Sequence, residues 1–327
     1  NPAALDFLAL TAGHMQRILN VRPEIAACDL HPDYASTRYA ESRTGLQLVR
    51  VQHHHAHIVS CMAENHILDP VIGLAFDGTG YGPDGTIWGG EVLIAWPGRF
   101  ERAAHMKCVP MPGGDAAIKE PWRMGVSYLQ DAFGPDFENM DLPFLKDLNG
   151  MKVQIMRQMM AGGINSPATS SMGRLFDAVA AITGIRNRVF FEGQAAMELE
   201  MRAGEMDCGH YDYEWQENGP CRIMPGPIIR GVAMDMVKKV PIPIISAKFH
   251  QTLICLFTDL CTSLRKDYML NQVALSGGVF QNSILLTGLM QALGKKNFQV
   301  LTHEQVPAND GGISLGQAIV ADAVANG

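Results

Sequence analysis

The chain has 327 residues, 47% apolar and 18% charged, a balance that can bury a sizeable interior and, at about 150 residues per domain, fits two lobes. Its net charge is -7, and lysine and arginine are spread along the sequence, so bulk nucleic-acid binding, which draws most of its affinity from phosphate neutralisation, is disfavoured. No apolar run reaches the ~18 residues a membrane helix needs, and seven cysteines without a C-x-x-C pair suit reduced cytosolic thiols, so a soluble cytoplasmic protein without a membrane or nucleic-acid partner is expected.

In chain order, Leu5, Leu8, Ala12, Met15 and Leu19 recur at helical spacing and predict a helix over residues 2–19. Ile25 to Cys28 reads as a short buried strand, followed by a turn at His31-Pro32-Asp33-Tyr34 and a helix through Arg43. Leu48 to Val51 reads as the next strand. The alternation of strand and helix predicts a layered α/β lobe.

Immediately after that strand stands Gln52-His53-His54-His55-Ala56-His57. Two histidines four apart on a helix point the same way, and neutral imidazole is a common ligand for borderline metal ions, so His53 and His57 form a candidate metal pair. No Glu follows the first His, which removes the H-E-x-x-H metalloprotease reading. The plain alternative is a helix-opening turn whose rings hydrogen-bond to loops, and His54 and His55 are read that way.

Texture changes at Asp69-Pro70. Val71 to Phe76 and Trp88 to Ala95 read as an antiparallel strand pair joined by a glycine-rich link. A hairpin accounts for Asp84-Gly85; Asp77-Gly78-Thr79-Gly80 is richer in glycine than a hairpin requires and is a candidate phosphate-contacting loop. Residues 134–163 read as helical packing. Ser170 and Ser171 supply capping hydroxyls for a helix from Met172 to Gly184, in which Leu175, Val179 and Ile182 form an apolar stripe and Arg174 and Asp177 fall to one side, Asp177 on a solvated face or, as the alternative, touching a ligand. Loops and edge strands are expected from Gly204 to Pro227, then an amphipathic helix over residues 247–264 in which His250 is a packed side chain.

Val273 to Ser276 forms a strand ending in Gly277-Gly278 and running into a helix with Leu285, Leu289 and Leu293. Ligands collect at the carboxyl ends of such strands, which places Asn282 to hydrogen-bond one. After a strand at residues 298–301, Asn309-Asp310-Gly311-Gly312 opens a terminal helix. Asp310 would complete a His-His-Asp metal set; a bare helix-entry turn is the alternative.

Taken together, Val51 to His57, Phe76 to Gly82, Ser170 to Asp177, Glu192-Gly193-Gln194-Ala195-Ala196, Ser276 to Asn282 and Asn309 to Gly312 resemble, in consistent order, the C-terminal Kae1-like domain of the HypF family, carbamoyltransferases of NiFe-hydrogenase maturation. The resemblance implies a two-lobed actin-like (ASKHA) α/β fold, with residues 1–68 as the remainder of an N-terminal lobe truncated before Asn1. Residues 69–327 would form the C-terminal lobe, whose last helix is free to return to the first. It implies a divalent metal, zinc or iron, on His53, His57 and Asp310, with ATP, AMP or carbamoyladenylate beside it. Asp77, Gly78 and Thr79 would then lie by the phosphate, Gly173, Asp177, Gly193 and Asn282 by the adenosine, and Gly277 and Gly278 in the nucleotide loop. It further implies transfer of a carbamoyl group to the C-terminal cysteine of HypE, the adenylate being made by an upstream YrdC-like domain. The competing expectations are an O-carbamoyltransferase acting on a small-molecule hydroxyl and a nucleotide-binding scaffold without chemistry.

Overall fold

The structure is a computed structural model that describes residues 2–146, 148–205, 208–217 and 219–326. Its first part comprises helix α1 (Pro2–Leu19), strand β1 (Ile25–Asp29), helix α2 (Ala35–Glu41), strand β2 (Gln47–Val51) and helix α3 (His53–Glu64). β1 and β2 pair in parallel, Asp29 opposite Val51. The helical crossover between them is what a parallel pair demands, because a tight turn cannot reverse the chain direction twice.

A three-stranded antiparallel meander follows: β3 (Val71–Tyr81), β4 (Ile87–Trp96) and β5 (Arg99–Met106). Then come β6 (Val109–Pro110), α4 (Asp115–Lys119), α5 (Trp122–Phe133), α6 (Pro143–Lys146), α7 (Gly150–Ala161), β7 (Ala168–Thr169), α8 (Met172–Ile182) and α9 (Gln194–Met201). The chain continues through β8 (Glu214–Gln216), β9 (Cys221–Met224), α10 (Gly226–Val237), the long α11 (Ile242–Tyr268), β10 (Gln272–Ser276), α12 (Ser283–Lys295), β11 (Gln299–Leu301) and α13 (Ile313–Asn326). The main sheet has the order β11-β10-β3-β4-β5-β9-β8. β10 lies parallel to both β3 and β11, so an antiparallel meander is extended on one side by two parallel strands, the arrangement of an actin-like lobe.

Both faces of this sheet are covered, which is why β3 reads as a nearly continuous apolar run rather than an alternating one. Ile72, Leu74 and Phe76 point to the larger core, shared with α5, α8, α10, α11 and α12. Val71 and Ala75 point to a second core with Ile58, Val59 and Met62 of α3 and Val320 and Ala321 of α13. Each fully buried aliphatic side chain contributes roughly 1.5–3 kcal/mol. Helix α13 packs along α3 and against β1 and β2, so the last helix lies beside the first strands, and Asp310, just before it, comes to the histidines of α3.

Two expectations are corrected in detail. Asp77-Gly78-Thr79-Gly80 is not a free loop: it continues β3, with a register shift between Phe76 and Gly80 that bulges the backbone, and the turn lies at Gly82 to Thr86. The face of α8 bearing Arg174 and Asp177 is not solvated either, since every residue from Met172 to Ile182 is buried. No described helix is long and apolar enough to cross a membrane.

Candidate active site

The histidine run is helical because Gln52 caps it: its side-chain oxygen accepts the amide of His55 at 2.8 Å, while its amide nitrogen lies 3.2 Å from His54 Nδ1. His54 and His55 are structural, as expected. The first is wholly buried, and His55 Nε2 donates to the Trp96 carbonyl at 2.7 Å. His53 and His57 lie one turn apart with their ring centroids 4.9 Å from each other.

Their Nε2 atoms meet two carboxylates. Asp77 Oδ2 lies 3.2 Å from His53 and 3.1 Å from His57, and Asp310 Oδ1 lies 3.5 Å from each. One atom from each of the four residues lies within 4.8 Å of the others. A tetrahedral ion with bonds of about 2.1 Å separates its ligand atoms by about 3.4 Å, and two imidazoles with two carboxylates are a donor set that zinc or iron accepts. The residues fit such an ion. Asp77 therefore serves the cluster as well as the cleft, a role that the sequence reading did not give it.

The charges explain why His53, His57 and Asp77 tolerate their burial. For His53, burial would lower the pKa, but hydrogen bonds to Asp29, Asp310 and Asp77 outweigh it and hold the ring well above its ordinary value. His57 is raised against burial by Asp310 and Asp77. Burial pushes the Asp77 carboxyl up, and the two histidines more than reverse this, leaving it well below the usual carboxylate range. Asp310 is lowered by its hydrogen bonds to His53 and His57. Its side chain remains 73% exposed, presented from a short turn that Asn309 caps by accepting the Gly311 amide.

Beside this cluster opens a cleft of about 720 Å³, of the size that holds a nucleotide, and Asp77 and Asp310 line both. Gly78, Thr79, Gly173, Asp177, Gly193, Gly278 and Asn282 line it, as expected; Gly277 does not. Gly277 turns the chain behind the wall at φ +106°, where a Cβ would stand 2.2 Å from the Phe76 carbonyl oxygen, so only glycine lets β10 approach β3 there. Three helix N-termini border the cleft, through Gly173 near the start of α8, Gly193 capping α9 and Asn282 capping α12. Their positive dipole ends favour an anionic ligand.

The polar side chains of the wall are already partly engaged. The Ser171 hydroxyl accepts the Arg174 amide and lies 2.9 and 2.7 Å from the Asp77 and Gly78 carbonyls, tying α8 to the bulge of β3. Asp177 is buried, 3.1 Å from Arg174 Nη2; burial raises its pKa, Arg174 opposes this and Glu192 adds to it. Asn282 is more committed than its sequence position suggests: its oxygen accepts the Leu285 amide and its nitrogen donates to His250 Nε2 at 2.9 Å. The sequence reading passed over Arg174 as a lining residue and Asp29, whose carboxylate lies 2.9 Å from His53 Nδ1. Nothing in the local pattern at Asp29 distinguishes it from a strand-end aspartate.

Residues 73–317 match the family described as carbamoyltransferase, Kae1-like domain, second subdomain, and residues 1–64 match the HypF Kae1-like domain. The chain belongs to the HypF family. It is 40% identical over 324 residues to carbamoyltransferase HypF of Rhizobium leguminosarum bv. viciae, covering 98% of this chain and 41% of that protein. A HypF homolog of Cupriavidus necator is 34% identical, with 98% of this chain and 83% of that protein covered. Among solved structures, full-length HypF in a phosphate- and nucleotide-bound form superposes with a TM-score of 0.95 at 42% identity, covering the whole of this chain and 42% of that one. HypF of T. kodakarensis superposes at 0.87 with 30% identity, over 98% of this chain and 43% of its own. The chain thus spans about two fifths of the length of the first HypF proteins that it matches, and it has the two-lobed Kae1-like α/β fold.

Proposed function

We propose that this chain transfers the carbamoyl group of carbamoyladenylate to the thiol of a C-terminal cysteine on a HypE-type partner, a step toward the cyanide ligands of NiFe-hydrogenase. The observation that carries the reading is the sharing of Asp77 and Asp310 between the nucleotide-sized cleft and the His53-His57 cluster. A ligand seated by its nucleotide end is thereby led to the cluster by its reactive end. In this reading the adenylate comes from ATP and carbamoyl phosphate in an upstream YrdC-like domain of the whole protein.

The chain's own groups suit the work. The thiolate sulfur attacks the carbamoyl carbon, the bond from that carbon to the phosphate oxygen breaks, and AMP leaves with the electron pair while the thiol proton passes to solvent. AMP is a good leaving group and a thiolate a strong nucleophile, so the site has mainly to orient both and to steady charge on oxygen. Asp177 offers a buried acceptor for a ribose hydroxyl, and the helix N-termini face the anion. None of the seven cysteines lines the cleft, which accords with a thiol supplied from outside. His53, His57, Asp77 and Asp310 would hold a divalent ion, which when bound places positive charge beside the reacting carbonyl or phosphate.

The test is mass spectrometry of a HypE-type C-terminal peptide mixed with this chain and supplied carbamoyladenylate. An adduct of one carbamoyl group on the cysteine, lost in His57→Ala, is expected. A folded, zinc-loaded chain that gives no adduct refutes transfer by this domain, and an adduct that survives His57→Ala refutes the role of the cluster.

A further inference from the structure

The cluster lies at the junction of the two cores, and one of the groups that shape it is not among its four ligand candidates. Asp29 ends β1, opposite Val51 and so one residue short of the Gln52 cap of α3. Its carboxylate is buried and holds two partners at once. Oδ1 accepts the backbone amide of His31 at 2.8 Å, and Oδ2 lies 2.9 Å from His53 Nδ1. The Thr37 hydroxyl donates to the Asp29 carbonyl at 3.3 Å, fixing the backbone as well. An ionised carboxylate only accepts, so the proton between Asp29 and His53 resides on Nδ1.

A proton fixed on Nδ1 reserves Nε2, the atom 3.2 Å from Asp77 and 3.5 Å from Asp310, as the ligand atom. We propose that Asp29 is a positioning residue that sets the tautomer and ring orientation of His53 for metal binding. It acts through His53 and touches neither the cleft nor the cluster's centre. The inference rests on the metal reading of the cluster, and the same histidine geometry would hold for whichever borderline ion the site takes.

An isosteric change separates this role from plain packing. In Asp29→Asn the side-chain oxygen must stay with the His31 amide, which can only donate, so the NH2 group faces His53 Nδ1. That forces the lone pair onto Nδ1 and the proton onto Nε2, the wrong tautomer for a ligand. Flipping the amide rescues His53 only by setting NH2 against the His31 N–H. A packing role makes Asp29→Ala, which leaves a void and two orphaned donors, the more harmful change; a tautomer role makes Asp29→Asn at least as harmful as Asp29→Ala.

The experiment is zinc affinity of the chain by competition with a chromophoric chelator, for the native sequence, Asp29→Asn and Asp29→Ala, each checked for folding by its thermal melt. A 10–100-fold loss in Asp29→Asn is expected, the usual cost of removing the group that orients a metal-ligating histidine, with Asp29→Ala losing no more. Affinity within twofold of native in Asp29→Asn, or a much larger loss in Asp29→Ala, overturns the assignment. Nitrogen-15 histidine spectra of the native zinc-loaded chain decide it without any variant: a protonated Nδ1 on His53 supports it, and a protonated Nε2 refutes it. Absence of zinc binding by the native chain overturns the metal reading itself, and this inference with it.

Discussion

Gly316 is where two helices touch backbone to backbone, and adding one methyl group there tests how the site is assembled. A Cβ on Gly316 of α13 would stand 1.9 Å from the Ala56 carbonyl oxygen and 2.9 Å from the Ser60 amide nitrogen of α3. Ordinary contact begins near 3.4 Å, so Gly316→Ala must part the helices by roughly 1–1.5 Å, since neither neighbour is a side chain able to turn away. Ser60 Oγ donates to the Gly312 carbonyl at 2.8 Å across the same seam, and that bond is stretched as well. Overpacking of this kind costs typically 1–3 kcal/mol. The functional effect exceeds the stability effect: Asp310 is carried on the turn leading into α13, and His53 and His57 on α3. A displacement of 1 Å takes the 3.5 Å separations of Asp310 Oδ1 beyond the span that one ion bridges. Zinc affinity is expected to fall at least tenfold, read by chelator competition, with a melting temperature several degrees lower. A variant that melts lower yet binds zinc with native affinity would refute the claim that the seam between α3 and α13 sets the ligand geometry.

Three further outcomes follow from the same contacts. The Glu64 carboxylate, at the far end of α3, accepts the backbone amides of Glu304, Gln305 and Val306 and pairs with His303 Nδ1 at 3.0 Å; Glu64→Gln should destabilise the chain by about 1–3 kcal/mol and weaken zinc several-fold by loosening the loop before Asp310, checked by melting and chelator competition. His53 and His57 keep their protons above the ordinary histidine value, so zinc must displace them: apparent affinity should rise with pH up to those raised values, and calorimetry in buffers of different ionisation enthalpy should count at least one proton released near pH 7. Burial lowers His250 to about 4. The unfolded ring takes its proton near 6.5 and the folded one only near 4, so stability is lost as pH falls through that window, by up to about 3 kcal/mol. His250→Gln should flatten this acid limb relative to the native chain, and an unchanged limb would refute the assignment.

The sequence made legible whatever is written in local pattern. Helical spacing in α3 put His53 and His57 on one face, and the hydroxyl read as the cap of α8, Ser171, caps it; that Gln52 and Asn282 cap α3 and α12 was shown only by the structure. Glycine density marked the close approaches around the cleft. What stayed hidden is contact between elements far apart in the chain. Asp29 and His53 are 24 residues apart, and Ser60 and Gly312 are 252 apart; no periodicity encodes such pairs. The buried Arg174-Asp177 pair was obscured for a different reason: three apolar stripe positions on α8 suggest a polar far side, whereas packing against β3, α5 and α9 encloses the helix all round.

The way α3 is held explains why so exposed a residue as Asp310 can complete a well-defined cluster. Helix α3 is tied at both ends to the segment carrying that aspartate: Glu64 grips residues 303–306 at its C-terminal end, Ser60 holds the Gly312 carbonyl near its middle, and the histidines meet Asp310 itself at its N-terminal end. His303 extends the grip: its Nδ1 donates to Glu64, and its Nε2 accepts from the hydroxyl of Ser276 at the end of β10, one residue before the turn at Gly277 that lies behind the cleft wall. A single helix of 12 residues thus links the candidate metal ligands at one end to the turn at Gly277, behind the cleft wall, at the other. Movement of the loop before Asp310 would alter both together, which predicts that Glu64→Gln weakens nucleotide and zinc in the same proportion. A loss confined to zinc, measured on the same preparation, would place the coupling in the turn at Asn309 to Gly312 instead of in α3.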